Sequence, residues 1–180
     1  FRMAMAHSLS LVRKRILIID ANLRNNSLTR LIAAPASLKQ LIDHHNQVSK
    51  QLKSGPEDEK KEDNQSYYGA NLITRTSNDF IDIIGSKTSL YSPSEVIPGG
   101  DFKVLLEWLN IRYDYIILEG AALNDFSDSR ELVRFVDLVI PIFSATATMT
   151  DEDKESLEFL ASLHEQLGPA VLNNFQTEEK

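Results

Sequence analysis

The sequence predicts an α/β fold: a doubly wound, mostly parallel sheet with helices on both of its faces. Short segments that are apolar almost throughout alternate along the chain with longer amphipathic segments. Strands of a parallel sheet are apolar on both sides because helices cover both faces, whereas half-exposed strands alternate polar and apolar residues. The chain has 180 residues, and we expect residues 1–180 to form one domain.

The composition excludes several classes of site and partner. The chain contains no cysteine, which rules out disulfides, thiolate zinc sites and a cysteine nucleophile within it. Its net charge of -7 disfavours binding to nucleic acid, which carries the same sign of charge. No apolar run approaches the roughly 20 residues that span a bilayer. Because the first residue is Phe1 and not methionine, we expect the chain to be a fragment of a longer protein.

The first third of the chain predicts three helices around one buried strand, followed by a loop. In order, it predicts a helix at 2–12, a strand at 16–20, a short helix at 27–31 with Ser27 as its cap, and a helix at 37–52. Residues 53–66 contain glycine, proline and charges of both signs, and they lack any large apolar side chain. This composition is typical of a mobile surface loop.

The remaining sequence continues the alternation of strands and helices. It predicts strands at 72–73, 80–84, 115–118, 138–143 and 170–172, and helices that begin at 92–95 and cover 101–112, 129–135 and 151–166. The last helix has leucines at helical spacing and Gly168 as its stop. The strand at 115–118 is expected to be buried, and the strand at 138–143 is apolar throughout.

Polar residues and glycine stand where the predicted strands end. Asp20, Gly85, Glu119 and Asn173 occupy these positions, and ligands bind beyond the carboxyl ends of the strands in such sheets. Two carboxylates on neighbouring strands suit Mg²⁺, which prefers oxygen ligands and often combines one or two carboxylates with phosphates. An alternative remains open, in which Asp20 and Glu119 only cap the loops that follow them.

Several segments, in order, resemble those of one protein family. The stretch "KRILIIDANLR" resembles the Walker A′ motif of bacterial tyrosine kinases, and "YDYIILEGAAL" resembles their Walker B strand. The segments "FIDIIGSKTSLYSPSEVI", "FVDLVIPIF" and "GPAVLNN" resemble the family's other strands and its "NPSELL"-like helix start. The family comprises the cytoplasmic kinase domains of capsular and exopolysaccharide chain-length regulators. These domains are P-loop ATPases of the deviant-Walker type, related to ParA and MinD.

The resemblance implies a set of cofactors and residue roles. ATP and Mg²⁺ would be the cofactors. Asp20 would hold a magnesium-bound water and help to activate the attacking hydroxyl, Glu119 would support the metal, and Asn22 takes the position of the second A′ acid. Arg24, which closes the motif, and Asn173, which would contact the adenine, are the expected nucleotide-binding residues.

The chain also departs from the family pattern. The Walker A loop and the strand before it are absent; we expect them upstream of Phe1, and the alternative is that the natural protein has lost them. Asn22 replaces an aspartate, Glu119 is one methylene longer than the usual aspartate, and Gly120-Ala121-Ala122 replaces Thr-Pro-Pro. The C-terminal segment "NNFQTEEK" has no tyrosine, unlike the tail that these kinases phosphorylate. Together these changes predict weakened catalysis.

Three functions remain open on this basis. The first is an ATP-binding kinase-type domain at the cytoplasmic face of the bacterial inner membrane that regulates polysaccharide chain length or export. Its expected partners are an upstream membrane and periplasmic domain of the same protein, the export machinery and further copies of itself. The second is a catalytically silent scaffold of the export complex. The third is a ParA- or MinD-like positioning ATPase.

Overall fold

A computed structural model of the chain describes residues 2–54, 70–124 and 126–174. The chain divides into two compact units, an N-terminal unit of residues 2–121 and a C-terminal unit that starts at residue 122. Most of the predicted mobile loop at 53–66, the tyrosines at 67–68 and the last six residues lie outside the described residues. Within the described ranges, no helix is both long enough and apolar enough to cross a bilayer.

The N-terminal unit alternates helices and strands as the sequence predicts. Its helices are α1 (Arg2–Leu11), α2 (Ser27–Leu31), α3 (Leu38–Ser54), α4 (Pro93–Val96) and α5 (Gly99–Asn110). Its strands are β1 (Ile16–Asp20), β2 (Thr74–Arg75), β3 (Ile81–Ile84) and β4 (Tyr115–Glu119). The four strands form one sheet in the order β2-β3-β1-β4. Strand β1 runs parallel to β3 and β4, and β2 runs antiparallel to β3.

The C-terminal unit is smaller and follows the same alternation. It contains α6 (Asp128–Leu132), β5 (Ile142–Ser144), α7 (Asp151–Ser162) and β6 (Val171–Asn173), with 3-10 turns at Val133–Phe135 and His164–Gln166. Strands β5 and β6 pair in parallel. The prediction of a mixed α/β fold with mostly parallel strands is therefore confirmed.

The core of the N-terminal unit lies on both sides of β1. Ile16 and Ile18 face Ala6 of α1 and Leu28 of α2 in one apolar cluster. The alternate residues Leu17 and Ile19 point to the opposite face and are also fully buried. A strand that is buried on both faces is apolar at every position, which explains the run "ILII". Its last residue, Asp20, differs from the others because it is polar and yet fully buried.

Four predicted elements differ from the observed ones. The strand expected at 72–73 is instead a 3-10 turn at Ala70–Leu72 followed by β2. The strand expected at 138–143 is interrupted: Val139 forms an isolated parallel bridge to Leu167, and the continuous strand begins at Ile142 because Pro141 has no N–H to donate to a ladder. The helix expected at 151–166 ends at Ser162, since His164 adopts a left-handed conformation with φ 48. The short helix at 27–31 has Asn26 and not Ser27 at its N-cap position, and Asn26 makes no side-chain capping hydrogen bond there.

The burial predicted for the strand at 115–118 is also wrong. Tyr115 is exposed and the other residues of β4 are only half-buried, because β4 lies at the end of the strand order. All three residues of β5 are exposed. An apolar sequence therefore does not ensure burial when one edge of a strand has no neighbour in its sheet.

Candidate functional site

The two predicted carboxylates are brought together at the carboxyl edge of the N-terminal sheet. Asp20 ends β1, Glu119 ends β4, and the two residues are register partners on neighbouring parallel strands. Register partners point to the same face of a sheet, so both side chains lie on the face that Ile16 and Ile18 share with α1 and α2. The sequence-based expectation that these acids converge is met by the strand register.

Asp20 is fully buried and is held by Thr29 of α2. Its Oδ2 accepts hydrogen bonds from the Thr29 backbone N–H at 2.8 Å and from the Thr29 hydroxyl at 2.5 Å. Its Oδ1 accepts a longer bond of 3.3 Å from the Asn22 N–H. The Thr29 hydroxyl oxygen in turn accepts the Ser86 N–H at 3.0 Å. Asp20 therefore fastens β1 to α2 and to the loop after β3, as the capping alternative expects.

Glu119 is paired with an arginine that the sequence did not single out. The Arg2 Nε lies 2.7 Å from the Glu119 Oε2, and the two side chains are 28% and 13% exposed. The Nε–H is not aligned with the carboxylate as a hydrogen bond, and neither atom has another hydrogen-bond partner, so the contact is an ion pair. Arg2 also donates from Nη2 to the Ser27 Oγ at 3.2 Å.

Glu119 has the most strongly shifted carboxyl group among the described residues. Burial is the largest cause that raises its pKa, Arg2 acts in the opposite direction, the negative charge of Asp20 also raises it, and the net pKa is about 7. Removing a carboxylate from water disfavours its charged form, as does a second carboxylate nearby. Such a group gains from any cation placed beside it, whether a guanidinium or a metal ion.

The position of Arg2 follows from the chain direction. Helix α1 leads into β1 and packs against it, so its first turn lies near the carboxyl edge of that strand. An arginine in the first turn opposes the helix dipole, and α1 has no acidic residue there. A basic residue at the start of the helix preceding a strand that ends in aspartate was therefore the signal that could have identified Arg2.

Asn22 and Arg24 shape the loop that follows β1. The Asn22 Oδ1 accepts the N–H groups of Arg24 at 3.2 Å and Asn25 at 2.9 Å, which is how asparagine stabilises a turn. Arg24 donates from Nη1 to the Leu90 carbonyl oxygen at 2.8 Å. Both residues follow Asp20 closely along the chain, while their predicted catalytic and nucleotide-binding roles stay predictions.

Gly85 brings a third loop to the same edge. Its carbonyl oxygen accepts the N–H groups of Ser37 at 3.0 Å and Leu38 at 2.9 Å, at the start of α3. A Cβ at this position would overlap the Pro35 carbonyl oxygen and would lie 2.9 Å from the Thr29 Cγ2. The close approach of these backbones therefore requires a glycine.

Asn173, the predicted adenine contact, belongs to the C-terminal unit. It ends β6, where it pairs with Ser144 and is exposed. Its carbonyl oxygen accepts the Ala145 N–H at 2.8 Å. Its position at the carboxyl end of a parallel strand is as predicted, and its role toward a nucleotide stays a prediction.

The two carboxylates are the type of ligand that Mg²⁺ prefers, but by themselves they do not form a complete metal site. Among the described residues, no group of three histidine, cysteine, aspartate or glutamate side chains gathers around one point. Magnesium commonly takes one or two carboxylates and completes its shell with phosphate oxygens and water. Asp20 through Oδ1, with its single long bond, and Glu119 are the two ligands that the described residues could provide.

Comparison with known proteins supports the fold. No protein-family model matches the chain, and no curated protein matches its sequence. The kinase domain of VpsO superposes with a TM-score of 0.70 at 20% identity, over 97% of this chain and 76% of that chain. The kinase domain of the Escherichia coli tyrosine kinase ETK gives 0.67 at 20% identity, over 97% of this chain and 62% of that chain.

A third neighbour contains a nucleotide and a metal ion. Cobyrinic acid a,c-diamide synthase from Mycobacterium smegmatis, solved with an ATP analogue and magnesium, superposes with a TM-score of 0.65 at 12% identity. That match covers 98% of this chain and 69% of that chain, so this chain spans roughly two thirds of the proteins that it resembles. This chain therefore shares its α/β fold, a mostly parallel sheet flanked by helices, with the VpsO and ETK kinase domains and with this nucleotide-binding synthase.

Proposed function

We propose that this chain is the core of an ATP-binding domain of the bacterial tyrosine-kinase type. The observation that carries the proposal is the side-by-side placement of Asp20 and Glu119 at the carboxyl ends of β1 and β4. In a parallel sheet this edge is where ligands bind, and two adjacent carboxylates are suitable ligands for a nucleotide-bound Mg²⁺. The fold shared with the VpsO and ETK kinase domains supports the same assignment.

Different residues would bind the metal ion and the nucleotide. Asp20 and Glu119 would hold Mg²⁺, which when bound with ATP neutralises the charge that develops on the phosphates. The loop shaped by Asn22 and Arg24 would border the phosphates, and Asn173 would contact the adenine. Because phosphoryl transfer depends mainly on positioning and electrostatics, changes of one methylene at Glu119 and of one charge at Asn22 would slow the reaction.

The proposed setting is the cytoplasmic face of the bacterial inner membrane. The family resemblance supports a role in exopolysaccharide chain length or export, with an upstream membrane and periplasmic domain, the export machinery and further copies of the chain as partners. The net charge of -7 supports the absence of a nucleic-acid partner, because two negatively charged surfaces repel each other.

Nucleotide binding by the full-length protein tests this proposal. We expect Mg·ATP to bind at or below roughly 1 mM, the upper range for enzyme substrates, and Glu119→Gln to weaken the magnesium dependence of binding. Asp20 should be replaced by asparagine, because Asp20→Ala would leave the Thr29 N–H and hydroxyl without their buried partner. Absence of binding at this concentration, with the circular dichroism spectrum intact, would refute the proposal.

A silent scaffold is the second candidate, and the contacts of the site supply a specific reason for it. Both Asp20 oxygens, the Asn22 Oδ1 and the Glu119 Oε2 all contact groups of the chain itself. The two candidates differ in whether the full-length protein forms phosphotyrosine in the presence of ATP. The kinase type requires this product, and Asp20→Asn should abolish it. Nucleotide binding without phosphotyrosine would favour the scaffold, and ATP turnover without it would favour a ParA- or MinD-like ATPase.

A further inference from the structure

Arg2 occupies the place at Glu119 that a bound cation would take. Its Nε lies 2.7 Å from the Glu119 Oε2, and Nη2 is fixed by its bond to Ser27. The side chain therefore reaches from the first turn of α1 to the end of β4 with its charged group held at two points. Neither anchor involves the backbone of α1 itself.

The charges around Glu119 explain why a cation is held there. Asp20, its register partner, places a second carboxylate on the same face of the sheet. Most of the Glu119 side chain is shielded from water, and a shielded carboxylate next to another one is costly without a positive charge. The guanidinium supplies that charge at the expense of an unfavourable position at the positive end of the α1 dipole.

A metal ion at Glu119 would have to compete with this guanidinium. Arginine stays protonated at every physiological pH, so its charge cannot be removed to make room for Mg²⁺. The Oε2 atom in contact with Arg2 cannot accept a metal ion at bonding distance while Nε remains 2.7 Å away. Metal binding through this oxygen therefore requires the Arg2 side chain to move off Glu119.

We propose that Arg2 is an internal competitor of the metal ion at Glu119 and thereby sets the metal affinity of the proposed nucleotide site. The inference rests on the proposed function, because it concerns the metal of that same site. Arg2 is a positioning residue in this role, since it acts through Glu119. Removing its charge should tighten magnesium binding, whereas removing a group that assists the metal would weaken it.

The test is a magnesium titration of the full-length protein and its variants. MgCl₂ is added at saturating concentration of a non-hydrolysable ATP analogue, and the apparent magnesium affinity is measured from the rise in melting temperature. We expect Arg2→Gln to tighten magnesium binding about three- to tenfold, a range that corresponds to a partly exposed ion pair. Arg2→Lys, which keeps the charge, should lie between Arg2→Gln and the wild type.

Arg13→Gln is the matched control because it removes the same charge just after the opposite end of α1, at an exposed position. It should leave the magnesium affinity unchanged. Circular dichroism and urea unfolding without metal would show that each variant folds. Unchanged or weaker magnesium binding by Arg2→Gln, with normal binding by the wild type, would overturn this inference alone. No response of either protein to magnesium and the analogue would overturn the proposed function and this inference together.

Discussion

Replacement of Thr29 by valine isolates the network that holds the buried Asp20. Valine has nearly the same shape as threonine, and the change replaces only the hydroxyl with a methyl group. That hydroxyl donates to the Asp20 Oδ2 at 2.5 Å and accepts the Ser86 N–H at 3.0 Å. A hydrogen bond to a charged group contributes about 1.5–3 kcal/mol and a neutral one about 0.5–1.5 kcal/mol. The two losses together predict a destabilisation of about 2–4 kcal/mol.

Urea unfolding followed by fluorescence of the only tryptophan, Trp108, reports on the unit that contains Thr29. With a urea dependence of about 2 kcal/mol per molar, the midpoint should fall by about 1–2 M at an unchanged slope. Thr29→Ser is the control, because it keeps the hydroxyl and loses only a methyl group, so it should cost less than Thr29→Val. A loss below about 0.5 kcal/mol in Thr29→Val, or an equal loss in both variants, would refute the reasoning.

Three further predictions concern packing and pH. Gly85→Ala should destabilise the protein by about 1–3 kcal/mol because its Cβ overlaps the Pro35 carbonyl oxygen, whereas Gly100→Ala, which meets nothing within 4 Å inside α5, should stabilise it slightly in the same urea assay. The raised pKa of Glu119, about 7 against an ordinary 4.5, makes its contribution to stability greatest below pH 4.5 and lost as the pH rises toward 7. Glu119→Gln should abolish this loss, which is about 1–2 kcal/mol after allowance for partial exposure. If the stability of the variant depends on pH between 5 and 7 as steeply as that of the wild type, this prediction is contradicted. Burial is the largest cause that lowers the pKa of His45, and the charges of its neighbours lower it further. Protonation of His45 therefore favours the unfolded state, so stability should fall as the pH drops below 6.5. His45→Gln should show a smaller fall in thermal melts over that range.

The strand ends were predictable because they depend on local sequence. The run Ile16–Ile19 is buried on both faces, and the polar residue that follows it had to lie at an edge of the sheet. The limits of the later elements were not predictable from the sequence, since they depend on single residues whose effect is steric. Pro141 separates the isolated bridge at Val139 from β5, and the left-handed His164 ends the regular helix at Ser162.

The sequence by itself determined the class of fold and the two carboxylates at its edge, because apolar periodicity and strand-terminal acids are local features of the chain. It left open whether those acids cap loops or bind a metal. The tertiary structure decided the partners: Thr29 on Asp20, and Arg2 on Glu119 from a residue 117 positions away in the chain. Such pairings depend on the strand register and on the packing of α1 and α2 against the sheet. Contacts between residues so distant in sequence leave no local pattern, which is why only the folded chain shows that Glu119 already has a positive charge beside it.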